Sequence, residues 1–209
     1  MLDFISQFKY ISSFDGKGAY WQIPLHPESI WLTGFISHHG IWEWLRVPYG
    51  LKNSGSAWLA TIAEVLKPLQ RTTRNYVDDM GVGSMNFGEH VTNVAEFLTC
   101  IREAGITLNL KKCDLAKPEI RFLGYYAGSG RKRQDPSRVE AIQKLTRPTT
   151  LKELRSVLGS LGFHRPYIPR FAEIAKPLTD LTSVKQNTNL IWTDREQEAF
   201  DELKQHIPR

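Results

Sequence analysis

The spacing of apolar positions changes several times along the chain, and each change marks an element. "FKYISSFDGKGAYWQIPL", residues 8–25, reads as a strand entering a glycine-punctuated turn at residues 15–18, followed by a second aromatic stretch. Strand-forming residues over 30–50 fall into two blocks separated by His38, His39 and Gly40, which predicts a hairpin. Trp58, Ile62, Val65 and Leu69 then recur at helical intervals and predict an amphipathic helix over 56–69. Two short strands follow, joined tip to tip around residues 76–79. Val91, Val94, Leu98 and Ile101 predict the inner face of a second helix, closed by Gly105. "GITLNL" and "EIRFLGYYA" read as short strands around a Lys111, Lys112, Cys113 turn. This order predicts an α+β fold with helices on one face of an antiparallel sheet.

At "AGSGRKRQDPSR" the residues become small, glycine-rich and basic, as in a linker, which places a boundary near residue 128. The remainder, 129–209, reads as mostly helical. "VEAIQKL" is stopped by Pro148, and Leu151, Leu154, Leu158 and Leu161 share one face of the next segment. Thr193 and Glu196 occupy capping-box positions ahead of a last helix that turns Phe200, Leu203 and Ile207 inward.

Charge separates the two parts. The chain has 209 residues and a net charge of +5. Residues 1–128 hold 12 Lys/Arg and 12 Asp/Glu, whereas 129–209 hold 15 against 10, so the surplus lies in the second part, where an acidic polymer such as nucleic acid is the expected partner. Cys100 and Cys113 have neither metal-site spacing nor a disulfide framework around them. The N-terminus lacks a signal-peptide pattern and no long apolar run occurs, so an intracellular location without a membrane partner is expected.

The chemistry centres on "TRNYVDDMGVGS", where Asp78 and Asp79 interrupt an apolar, strand-like run. Adjacent carboxylates repel, and burying them without a cation is costly. An acid pair is ordinarily a solvated turn; the strand-turn-strand context around Tyr76 and Val77 makes this one specific. Asp15 ends another strand and supplies a third carboxylate beside Tyr20 and Trp21. Three acids at strand ends suit divalent cations, because Mg²⁺ takes oxygen ligands from one or two carboxylates, water and phosphates. Two such ions stabilise both oxygens of a phosphoryl displacement.

These segments resemble a known family. "YVDD" resembles the polymerase signature of reverse transcriptases, and "SSFDGKGAYWQIPL" the motif carrying their first catalytic aspartate. "VPYGLKNSGSAW", "GITLNLKKC" and "IRFLGY" are similar to the nucleotide-pocket motif, the lysine-bearing turn and the primer grip. "RPTTLKELRSVLGSLGFHRPYIPRFAEIAKPLTDLT" with "WTDREQEAF" is similar to the thumb and following connection of Ty3/gypsy retrotransposon polymerases. The resemblance runs in the family's order from Phe14 to the C-terminus.

The resemblance implies a polymerase palm with partial fingers over 1–128, the fingers at 25–47, and a thumb and start of connection over 129–209. It implies that Asp15, Asp78 and Asp79, with the carbonyl of Gly16, hold two Mg²⁺ ions, for which Mn²⁺ substitutes. Tyr20, Tyr49 and Gly50 would line the deoxynucleoside triphosphate pocket, Tyr20 beneath the sugar. Lys112, or its neighbour Lys111, would assist the departing pyrophosphate. Phe122, Leu123, Gly124 and Tyr125 would hold the primer end, and Arg131, Lys132, Arg133, Lys152 and Arg155 the template-primer backbone. The implied partners are an RNA or DNA template with its primer and the rest of a Pol polyprotein, in the cytoplasm or a virus-like particle. Asn53, Ser54 and Gly55 stand where the family has Asn-Ala-Pro, which loosens the turn before the helix. Only 14 residues precede Asp15, where the family carries a fingers segment with a Lys and an Arg that clamp the triphosphate. Two readings follow: an RNA-directed DNA polymerase core, or a catalytically silent nucleic-acid-binding remnant.

Overall fold

Strand β1, Tyr10–Asp15, alternates two side-chain sets: Tyr10, Ser12 and Phe14 face one way, Ile11, Ser13 and Asp15 the other. It lies at the centre of an antiparallel sheet ordered β4-β5-β1-β6, with β4 at Thr73–Tyr76, β5 at Asp79–Ser84 and β6 at Asp114–Lys117. Helices α2, Ser54–Val65, and α3, Phe87–Glu103, cover the Phe14 face, where Phe14, Trp58, Ile62, Met80, Val82, Phe97 and Ile101 form a buried core. The computed structural model describes residues 2–183 and 190–207.

The opposite face carries the acids and a smaller core. The first helix α1, Leu2–Ser6, places Ile5 beside Ile11, Ile120 and Phe122. Its approach explains the "GVG" of β5: a Cβ at Gly81 would stand 2.6 Å from Ile5 Cδ1, and one at Gly83 2.0 Å from Phe8 Cδ2. At Gly83 only glycine lets the Phe8 ring lie this close to the strand, whereas at Gly81 the clash is with the flexible tip of Ile5.

The hairpin expected at His38 and His39 forms from β2, Phe35–Ser37, and β3, Gly40–Trp42. It leaves Trp31, Leu32, Ile36, Ile41 and Leu45 more than half exposed, an apolar surface larger than scattered single residues produce. α2 ends before Pro68 and continues as a short 3-10 turn at Lys67–Leu69. α3 ends at Gly105 in a Schellman motif, with the amides of Gly105 and Ile106 donating to the carbonyls of Arg102 and Ile101.

Three local expectations are corrected. The buried face of α3 is His90, Asn93, Phe97 and Ile101, while Val91 and Leu98 are exposed. The strands supply the reason: His90 bonds Ser12 Oγ at 2.8 Å and Ser84 Oγ at 3.1 Å, and Asn93 donates to Ser84, so polar residues are satisfied inside. "GITLNL" contributes a single bridge, Leu108 to Gly16, before a 3-10 turn at Leu110–Lys112. The glycine-rich "linker" is a strand pair. β7, Ile120–Phe122, β8, Tyr125–Gly128, and β9, Arg131–Gln134, form a sheet. Ser129 and Gly130 make the β8–β9 turn, both at positive φ, and donate their amides to the carbonyls of Phe8 and Ser6.

The chain divides into two units, Met1–Arg133 and Gln134–Arg209. The second is helical: α4 Pro136–Gln143, α5 Leu151–Phe163, α6 Phe171–Ile174, α7 Lys176–Ser183 and α8 Asp194–Gln205. Leu154, Val157, Leu161, Leu178, Phe200, Leu203 and Ile207 form its core. Capping boxes start α5 at Thr150 and Glu153 and α8 at Thr193 and Glu196. Among the described residues no helix is long and apolar enough to cross a membrane.

Candidate active site

The β4–β5 hairpin closes on the pair Tyr76 and Asp79, leaving Val77 and Asp78 as a two-residue turn. Val77 has φ 53°, which a β-branched residue adopts at a cost of about 1–3 kcal/mol. Two bonds hold it there. Trp58 Nε1 donates to the Val77 carbonyl at 2.8 Å, and the Gly16 amide donates to the Asp78 carbonyl at 2.9 Å. Trp58 is fully buried and its ring packs against Gly16, where a Cβ would stand 3.1 Å away. It is a positioning residue that in the sequence stands only as a member of the helical stripe and as the end of "VPYGLKNSGSAW", neither of which shows that its indole holds the turn.

The same register places Asp15 directly opposite Asp79, and the Gly16 bond draws Asp78 to the end of β1. All three acids therefore meet at one end of the central strand pair. Asp15 is buried apart from a narrow exposed edge, and Lys112 Nζ lies 3.1 Å from its Oδ1. The loop before Lys112 is tied along residues 15–17 by bonds from Asn109 N to Asp15 O at 2.8 Å and from Lys17 N to Thr107 O at 3.0 Å. Burial first, then the charges of Asp78 and Asp15, push the Asp79 carboxyl above its ordinary range, with Lys112 opposing. The bond and charge of Asp15 raise the Lys112 ammonium, and Asp78 and Asp79 add to it.

This donor set suits a hard divalent cation: three carboxylates and no thiol or imidazole, at a point where one acid already resists ionisation. Among the described residues no three His, Cys, Asp or Glu side chains close round a common point. A magnesium ion does not require that, since one or two carboxylates with water and phosphate oxygens complete its shell.

The remaining predicted residues fall in distinct places. Tyr20 packs on Tyr49 at a tilt of 57° with ring centroids 5.1 Å apart, and Trp21 meets Tyr49 edge-on at 5.3 Å. Tyr49 and Gly50 are exposed and line a cleft of about 490 Å³ with Trp21 and Trp44. Phe122 is buried in the smaller core, so the tip of the β7–β8 turn is Leu123 and Gly124, both at positive φ, with Tyr125 beside them. Lys132 is ion-paired with Asp3. Arg133 grips Glu119 through two nitrogens at 3.0 and 2.6 Å and lies over Tyr126. Arg131 is exposed in the first unit, Lys152 and Arg155 in the second.

Residues 3–127 match the family described as reverse transcriptase (RNA-dependent DNA polymerase). The chain is 33% identical over 207 residues to the retrovirus-related Pol polyprotein from transposon 297 of Drosophila melanogaster, covering 98% of this chain and 19% of that protein. It is 35% identical over 210 residues to the enzymatic polyprotein of cauliflower mosaic virus strain D/H, covering 99% of this chain and 31% of the other. A foamy viral protease-reverse transcriptase solved with an RNA/DNA hybrid superposes with a TM-score of 0.90 at 31% identity, over 99% of this chain and 28% of that one. The chain thus spans under a third of each of these relatives. With a matched segment covering more than half its length, and with its acid-bearing hairpin inside that segment, the chain belongs to the reverse transcriptase family.

Proposed function

We propose that this chain is the polymerase core of a reverse transcriptase, extending a primer on an RNA or DNA template by metal-dependent nucleotidyl transfer. The observation that carries the reading is the meeting of Asp15, Asp78 and Asp79 at one end of the β1–β5 pair. Asp15, Asp78 and Asp79 would hold Mg²⁺, or Mn²⁺ in its place. When bound, the metal supplies charge for activating a hydroxyl and for stabilising a leaving pyrophosphate.

The chain's own groups account for the rest. The Val77–Asp78 turn is pinned at both carbonyls, so the acids hold position without reorganising during reaction. Lys112 lies close enough to the acids to offer charge or a proton to the leaving group. The Tyr20 and Tyr49 rings offer a wall for a deoxynucleotide sugar and base. Leu123, Gly124 and Tyr125 would steady the primer end, Phe122 holding their turn from the core. Arg131, Lys132, Arg133, Lys152 and Arg155 would contact backbone phosphates; Lys132 and Arg133 must exchange Asp3 and Glu119 for them. Residues 1–128 would form a palm with partial fingers, and residues 129–209 a thumb and the start of a connection. Within a longer Pol polyprotein, the expected setting is the cytoplasm or a virus-like particle.

Primer extension tests this. The purified chain with Mg²⁺ and deoxynucleoside triphosphates on a primed RNA template should extend the primer, and Asp78→Asn should not. Equal extension by both would overturn the site. Salt-sensitive template binding without extension by either would instead support a nucleic-acid-binding role without turnover.

A further inference from the structure

The segment after α3 carries Lys112 to the acids with little regular structure to hold it. From the Schellman end of α3, residues 106–109 run antiparallel to residues 15–17 through a single bridge, Leu108 to Gly16, and then enter the 3-10 turn that bears Lys112. In a regular antiparallel pair Lys17 and Thr107 would exchange two backbone bonds, each amide donating to the other carbonyl. Here Lys17 N donates to Thr107 O at 3.0 Å, and the return bond is replaced.

The side chain of Gln22 takes its place. Gln22 Oε1 accepts from the Thr107 amide at 2.7 Å, and Gln22 Nε2 donates to the Lys17 carbonyl at 2.8 Å and to the Thr107 carbonyl at 3.1 Å. One carboxamide thus engages its oxygen and both of its hydrogens on the rung that the ladder leaves unfinished. Gln22 is half-buried and fixed in turn by its own backbone: it ends the 3-10 turn Ala19–Gln22, and its carbonyl accepts from Arg46 at 2.9 Å. Tyr20 and Trp21, which pack on Tyr49, belong to the same turn. Beyond the rung, the Asn109 amide reaches the Asp15 carbonyl at 2.8 Å and the Lys112 amide reaches the Asn109 carbonyl at 3.0 Å. A short run of paired backbone therefore joins Gln22 to the lysine.

We propose that Gln22 is a positioning residue of the candidate active site, closing the Lys17–Thr107 rung and so fixing the segment that delivers Lys112 to Asp15. It acts through Lys112 and touches no reacting atom. The inference rests on the polymerase reading, in which Lys112 serves the leaving pyrophosphate.

Gln22→Met keeps the length of the side chain and removes all three bonds. In primer extension by the 209-residue chain, kcat should fall about tenfold or more while KM for the deoxynucleotide stays within about threefold. In a Lys112→Ala background the same substitution should cost less than about twofold, because the group that it positions is gone. Amide exchange at Thr107 and Asn109 should quicken about tenfold relative to β1 and β5, with the urea midpoint close to that of the parent. Should the midpoint fall as well, Gln22→Glu, which keeps the bond from the Thr107 amide and loses both donated bonds, repeats the comparison. An undiminished loss in the Lys112→Ala background, or unchanged exchange at Thr107 and Asn109, would overturn the proposal. A parent that extends no primer, with exchange still quickened in Gln22→Met, would sink the polymerase reading and leave Gln22 as the holder of this segment.

Discussion

Replacing Asp79 by Asn should make the metal-free protein more stable. Asp79 sits opposite Asp15 in the β1–β5 register, where facing residues have Cβ atoms about 4.5–5.5 Å apart. Between the effective dielectric of about 20 near a protein surface and about 80 in water, one such repulsion at that spacing is about 1–3 kcal/mol. Asp78 adds to it, and Lys112 beside Asp15 offsets part, leaving a net penalty of about 1 kcal/mol. Asn keeps the shape and removes the charge. Urea unfolding near neutral pH with a chelator should therefore show the variant more stable by about 1 kcal/mol, or about 2–4 °C in Tm. The pH dependence gives a second check. An acid whose folded pKa is raised weighs against folding above that pKa and not below its unfolded value, so the variant's advantage should vanish as pH falls below the ordinary carboxylate range. Added Mg²⁺ should stabilise the parent more than the variant. A variant that is less stable than the parent under chelation, or equal to it at every pH, would refute the reasoning.

Trp58→Phe should destabilise the first unit by about 2 kcal/mol, through the lost bond to Val77 and the smaller ring, with faster amide exchange around Asp78; unaltered exchange there would show that the indole does not hold the turn. Gly83→Ala should cost about 2 kcal/mol or more in urea unfolding, because its methyl would meet the Phe8 ring at 2.0 Å; a neutral effect would mean that α1 does not lie against β5. Burial lowers the His90 pKa, so its contribution to stability is present above the unfolded value and is lost as pH falls through it. Unfolding of the parent at about pH 7.5 and about 5.5 should show that loss, His164 adding to it, and His90→Gln should flatten the His90 share.

The acid hairpin was legible because Asp78 and Asp79 break an apolar run that nothing else in the sequence satisfies. The capping box at Thr193 and Glu196 and the Gly105 terminus were legible for the same local reason: a few residues at fixed spacing decide the backbone. What stayed hidden depended on partners far along the chain. His90 and Asn93 looked like an outer face because Ser12 and Ser84, which bond them, lie on β1 and β5. Ser129 and Gly130 looked like a linker because the carbonyls of Ser6 and Phe8 that fix their turn belong to the first residues of the chain. Nothing beside Gly81 and Gly83 in the sequence signals why they are glycine, because Ile5 and Phe8, which pack against them, lie far along the chain. Trp58 is the sharpest case, since its role rests on one bond to Val77 across the core.

The most direct test of the central claim is a calorimetric titration of the chain with Mn²⁺, beside Asp15→Asn and Asp78→Asn. The account predicts saturable binding to the parent, weakened about tenfold or more by either substitution while both variants remain folded. Mn²⁺ binding to either variant as tight as to the parent would contradict the assignment of these aspartates as the metal-holding site.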